Sequence, residues 1–138
     1  NTYGPRMLPN DGRVISNFIS QALQGKPITV YGEGQQTRSF CFVDDLIKGM
    51  ISLMNCSYTG PVNIGNPEEH TIINIAEIIR SKINPKLEIT YQPLPSDDPN
   101  QRKPNISLAK DYLNWEPKID FNDGIDKTID YFTKELEK

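Results

Sequence analysis

A chain of 138 residues with 36% hydrophobic and 24% charged residues can bury its own core and is too apolar to stay unfolded. A net charge of −3 argues against general nucleic-acid binding, although one local basic pocket can still hold a phosphate. No apolar run reaches the roughly 20 residues of a membrane span, and two cysteines without a histidine cluster give no metal site and fit a reduced, cytoplasmic protein.

Proline and glycine punctuation divides the chain into short α/β units without repeats. Val14, Ile15, Phe18, Ile19, Ala22 and Leu23 recur at helical spacing and predict a helix over 13–24, ended by Gly25. Residues 28–31 and 40–43 read as short strands. The second turns at Asp44 and Asp45 into a helix carrying Leu46, Ile47, Met50, Ile51 and Met54, with both acids suited to its positive end. Residues 61–64 predict a buried strand ending in the Gly65-Asn66-Pro67 turn. Thr71 caps a helix with the stripe Ile72, Ile75, Ala76 and Ile79, and residues 87–91 alternate like a strand. A proline-rich connection, QPLPSDDPNQRKPN, is long enough to suggest a binding loop. Ser107 caps a short helix and Asn122 starts the last, with Ile125, Ile129, Phe132 and Leu136 inward. Strands this few and short make poor material for an independent parallel sheet, so the pattern reads as a subdomain packed against something else.

Three stretches invite chemistry. YGEGQQTRSF places glycines at 32 and 34, but the third glycine of a dinucleotide loop falls on Thr37, so no Rossmann fingerprint is present. What remains is Tyr31, planar enough to stack on a base, and Arg38, suited to a phosphate; the plainer reading is a surface hairpin with a solvated arginine. DDPNQRKPN sets Arg102 and Lys103 in a proline-stiffened loop, either an anion clamp or a solvated basic pair beside Asp97 and Asp98. His70 has no nucleophile partner and reads as a helix-entry polar residue. Asn55-Cys56-Ser57 and Asn105-Ile106-Ser107 match the glycosylation sequon at a frequency close to chance.

Taken together, NTYGPRM, DGRVISNF, GKPITVYGEGQQTRSFCFVDDL, PVNIGNPEE, RKPN and LNWEPK resemble, in order and spacing, the UDP-glucuronate decarboxylase (UDP-xylose synthase) family of the extended short-chain dehydrogenase/reductase superfamily. The resemblance covers essentially the whole chain. It implies an α/β fold: residues 1–138 as a single substrate-binding portion, C-terminal in the longer enzyme, with the Rossmann core largely absent. That family's Gly-rich loop is missing, and no tyrosine has a lysine four residues on; Tyr131 is followed at that spacing by Glu135.

The resemblance implies NAD as cofactor, held mainly by the missing half, and a UDP-sugar as substrate. NAD⁺ oxidises the sugar at C4, the C5 carboxylate leaves as CO₂, and returned hydride gives UDP-xylose. Asn1 borders the sugar, and Thr2 and Arg13 lie on the cofactor side. Asn17 and Phe18 face the nucleotide; Thr29, Val30 and Tyr31 line the uracil pocket; Arg38 holds the diphosphate; Arg102 meets the sugar carboxylate or phosphate and is the one residue here with a potential catalytic part. Rivals are a 4-epimerase, a 4,6-dehydratase, or a non-catalytic nucleotide-sugar module. The chain alone is expected to be inactive, to bind UDP weakly and to expose an apolar face, while the complete enzyme is expected to be a homodimer. Leu8 stands where the family has His, Asn105 for Asp and Asn114 for Gly.

Overall fold

The computed structural model describes residues 1–138. In chain order its elements are β1 (Thr2–Tyr3), α1 (Val14–Leu23), β2 (Ile28–Tyr31), β3 (Thr37–Ser39), β4 (Cys41–Phe42), α2 (Val43–Met54), β5 (Glu69–Thr71), α3 (Ile72–Ile83), β6 (Ile89–Gln92), β7 (Gln101–Arg102), α4 (Ser107–Leu113) and α5 (Phe121–Leu136). The strands form three separate sheets: parallel pairs β1–β4 and β2–β6, and a three-stranded sheet β5–β3–β7 in which β3 runs antiparallel to β5 and parallel to β7. No helix is long and apolar enough to cross a membrane.

The helices form where the apolar spacing places them, and local chemistry sets their ends. After α1, Gly25 adopts φ 69 and donates to Ala22 O, while the Lys26 amide reaches back to Gln21 O. That pair of bonds is a glycine C-cap motif. Thr71 caps α3 by accepting from the Asn74 amide at 3.2 Å. Asn114 takes φ 47 after α4, the left-handed position where glycine is favoured and asparagine is tolerated, so its replacement of the family glycine keeps the turn.

Several expectations are corrected. Residues 61–64 form no strand; Val62 and Ile64 instead pack on Cys41, Ile106, Ala109 and Trp115, and Asn63 donates to Asn105 O. Ser107 is not the cap of α4: Asn105 Oδ1 accepts from the Ser107 amide and hydroxyl. Asp120, not Asn122, begins α5, its carboxylate accepting from the Asn122 and Asp123 amides of the first turn. Strands β3, β5 and β7 fell outside the pattern because they are only two or three residues long.

One core joins α1, α3 and α5 over β2, with Ile15, Ile19, Ile28, Ile75, Ile79, Ile125 and Phe132 essentially inaccessible. Each such side chain contributes about 1.5–3 kcal/mol on burial. Tyr3 joins this core to β4 through edge-on contacts with Phe40 and Phe42. A smaller cluster around Trp115 fastens α2 to α4. There Asp45, 1% exposed, accepts from the Lys118 and Ile119 amides at 3.0 and 2.8 Å through Oδ2, and the Trp115 indole donates to Asp45 O. The acid pair at the start of α2 therefore divides its work: Asp44 stays at the helix end in solvent, and Asp45 ties two distant segments together.

Candidate functional site

Three adjoining cavities run along the face formed by β1, the start of α1, and β3 with its neighbours. The first, about 400 Å³, is walled by Asn17 and Phe18 of α1, Thr29 and Tyr31 of β2, and Arg38 of β3, closed by Asp97 and Asp98 of the proline-rich loop. The second, about 160 Å³, takes in Asn1, Thr2 and Arg13 and shares Gly12, Val14 and Arg38 with the first. The third, about 410 Å³, lies beyond Asn1 and is lined by Ser39, Asn66, Arg102 and Lys103. Shared residues make these one trough: Arg38 stands between the first two cavities and Asn1 between the last two.

Local folding explains each position. Strand alternation points Thr29 and Tyr31 to the first cavity and Val30 into the core, where its side chain is inaccessible. Val30 is thus a correction: its side chain does not line the pocket. Thr29 is fixed from α1, since Gln21 Nε2 donates to its hydroxyl at 3.2 Å and Gln21 Oε1 accepts from its amide at 3.0 Å. Tyr31, half exposed, leaves a ring face available for stacking. Arg38 is 7% exposed, so the solvated-arginine reading fails. Its Nη1 donates to Thr37 O at 2.7 Å and its Nη2 to Asp98, and a guanidinium's five donors leave others for a ligand.

The two basic residues of the RKPN stretch are not partners of Asp97 and Asp98; Arg38 takes Asp98 instead. In register, Arg38 lies beside Arg102, and Thr37 beside Gln101. Glu69 of β5 fastens this edge, accepting from Thr37 Oγ1 at 2.9 Å and Gln101 Nε2 at 2.6 Å, with Lys103 Nζ 3.9 Å away. The hydrogen bonds from Gln101 and then Thr37 hold the Glu69 carboxyl below its ordinary range. Arg13 is exposed and turned towards Asp11, with 3.4 Å between Nε and Oδ2. Leu8 is solvent-exposed and lines none of the three cavities. His70 lies in β5, one residue before the helix cap, and stacks on Phe121 with 4.1 Å between ring centroids.

Burial pushes the Cys41 thiol up to about 11 and the Tyr3 hydroxyl higher still, so neither is poised for proton transfer at neutral pH. The residues lining the trough include no nucleophile–base pair. A cavity of 160 Å³ bordered by Thr2 and Arg13 fits one end of a dinucleotide rather than the whole. Gly12, Gln36, Asp97, Asp98 and Ser39 also line the trough, and no sequence motif singled them out as such. Only the acidic pair left a trace, as two adjacent carboxylates in a loop marked for binding.

A family model for GDP-mannose 4,6 dehydratase matches residues 1–128. UDP-glucuronic acid decarboxylase 1 of Danio rerio is 53% identical over 137 residues, which is 99% of this chain and 33% of that protein. The chain thus spans about a third of the length of the curated relatives it matches. Among solved structures, UDP-glucose 4-epimerase of Thermotoga maritima with UDP-glucose superposes with a TM-score of 0.94 at 28% identity, over 99% of this chain and 44% of that one. UDP-glucuronic acid 4-epimerase of Bacillus cereus, in complex with UDP-glucuronic acid and NAD, gives 0.88 at 29% identity, over 99% and 43%.

Proposed function

The chain belongs to the GDP-mannose 4,6 dehydratase family, within the extended short-chain dehydrogenase/reductase superfamily, and from that premise we propose that it is the substrate-binding, C-terminal portion of an NAD-dependent UDP-glucuronate decarboxylase. The observation that carries this reading is the order of groups along the trough. A niche bearing Thr29 and Tyr31 is followed by a buried guanidinium (Arg38), then a small cavity at Asn1 with Tyr3, Met7 and Phe40 among its walls, then a basic one at Arg102 and Lys103. UDP-glucuronate presents its parts in the same sequence: base, diphosphate, sugar, carboxylate. Asp97 and Asp98 supply acceptors of the kind a ribose diol donates to.

Arg38 holds the diphosphate, and that remote attachment fixes the sugar at Asn1. NAD, when bound along Thr2 and Arg13, supplies hydride acceptance and return. With a ketone at sugar C4, the C5 carboxylate is β to a carbonyl. The C5–C6 bond breaks, its electron pair passes into an enolate, CO₂ departs and a proton returns to C5. Arg102 keeps the carboxylate end in place before that step. This chain by itself releases no CO₂, because it carries no Tyr-x-x-x-Lys pair and no Gly-rich loop.

The rest of the longer protein completes the parallel pair β1–β4 and covers the apolar stripe of α2. Two features support this: a two-stranded parallel sheet is too small to stand alone, and Ile47, Met50, Ile51 and Met54 lie exposed on one helix face. Proton NMR of the complete protein with UDP-glucuronate tests the reaction. UDP-xylose is the expected product; accumulation of UDP-galacturonate instead would make the protein a 4-epimerase.

A further inference from the structure

The buried charge of Arg38 finds no anion within its own sheet. Its register neighbours are Arg102 on β7 and His70 on β5, and neither is an acid. A guanidinium sheltered in such company needs a counter-ion, because an unpaired charge away from water is costly. The counter-ion comes from outside the sheet: Arg38 Nη2 donates to Asp98 Oδ1.

Asp98 belongs to a strap that is moored at both ends. Gly32 N donates to Gln92 O at 2.7 Å, and Thr37 N donates to Asn100 O at 3.0 Å. Between these moorings Pro93, Pro95 and Pro99 have no amide hydrogen to give. Residues 93–99 make one backbone bond, from Asp98 N to Pro95 O at 3.3 Å, and one side-chain bond, the ion pair to Arg38. Residues 93–97 are exposed. A segment with so few bonds opens at low cost, and Asp98 is the point where it is fastened down. With Pro95 and Asp97, Asp98 also walls the first cavity, which Arg38 lines. A carboxylate and a phosphate offer a guanidinium the same kind of oxygen acceptors. A diphosphate in that cavity therefore competes with Asp98 for Arg38, and keeping both would set two anions against each other.

We propose that Asp98 is a built-in stand-in for the diphosphate: its pair with Arg38 latches the strap against the first cavity, and the ligand binds by taking its place. The identity of the anion as a diphosphate rests on the function proposed above; the latch itself rests on the ion pair and the strap. The latched form is not competent to bind, so the pair lowers apparent affinity by the fraction of molecules it holds closed.

The test is Asp98→Asn in the complete protein, with calorimetric titration of UDP, uridine and inorganic pyrophosphate. The Asp98 side chain is 32% exposed, so the pair is partly screened by solvent. Affinity for UDP and for pyrophosphate should rise by about threefold to tenfold. Uridine makes no claim on Arg38 and should gain less than UDP does. In an Arg38→Ala background the same Asp98→Asn change should leave UDP affinity where it was, because the latch has already lost its partner. An equal gain in that background, or an equal gain for uridine, overturns the proposal and makes the effect one of general charge or of access. Unchanged or weakened binding of UDP and pyrophosphate also overturns it and makes Asp98 a prop for Arg38. CO₂ release from UDP-glucuronate by the wild type separates the two claims. Release without the gain sinks only the latch; the gain without release keeps the latch and sinks the decarboxylase.

Discussion

The two halves of this molecule are finished to different degrees. The side built from α1, α3, α5 and β2 closes on itself, with Ile15, Ile19, Ile28, Ile75, Ile79, Ile125 and Phe132 essentially inaccessible. The side built from β1, β4 and α2 stops short: its sheet is two strands wide, and Met54 stands 81% exposed on an apolar helix face. The trough runs along the boundary. The closed half supplies the rigid wall, Asn17, Phe18, Thr29 and Tyr31, while the open half supplies the Asn1 end. On the proposed reading, a site at such a boundary is half preorganised and is completed by the rest of the longer protein.

Mutations should separate these halves. Phe132→Ala, in the closed core, should cost about 3–5 kcal/mol by denaturant unfolding; a cost below about 1 kcal/mol would mean that the core is looser than its burial indicates. Asp45→Ala comes next, at about 2–4 kcal/mol, because it strands the Lys118 and Ile119 amides. Asp45→Asn keeps one acceptor oxygen and should recover part of that loss. Arg38→Ala should weaken UDP binding by the complete protein about tenfold to a hundredfold in titration calorimetry, with little loss of stability.

How much of this was legible beforehand depended on length and partners. Helices α1, α2, α3 and α5 announce themselves by spacing, and Gly25 and Thr71 by cap chemistry. The three-stranded sheet did not, because two- and three-residue strands carry no period; they are set by tertiary contacts such as Glu69 with Thr37 and Gln101. At the site, Thr29, Tyr31 and Arg38 were named from residue type and resemblance, and the structure brings them to one cavity.

Two smaller effects probe the boundary. Hydrogen bonds depress the Glu69 carboxyl, so its contribution to the β5–β3–β7 sheet is present above the ordinary carboxylate range and lost as pH falls through the lowered value. Protection of the Gln101 and Arg102 amides, relative to their intrinsic exchange, should fall as pH drops below the ordinary carboxylate range, and Glu69→Gln should flatten that dependence; identical profiles would mean that Glu69 does not hold this edge. Met54→Ser should change the stability of the isolated chain by less than about 0.5 kcal/mol. The same change should cost more in the complete protein, and equal values in both would leave the α2 stripe uncovered.

The order of groups along the trough is the central claim, and a crystal structure of the complete protein with UDP-glucuronate tests it most directly. The proposed order predicts uracil against Thr29 and Tyr31, diphosphate oxygens within hydrogen-bonding distance of Arg38, the sugar at Asn1 and its carboxylate at Arg102. A nucleotide bound elsewhere, with Arg38 still committed to Asp98 and Thr37 and no carboxylate beside Arg102, would contradict it.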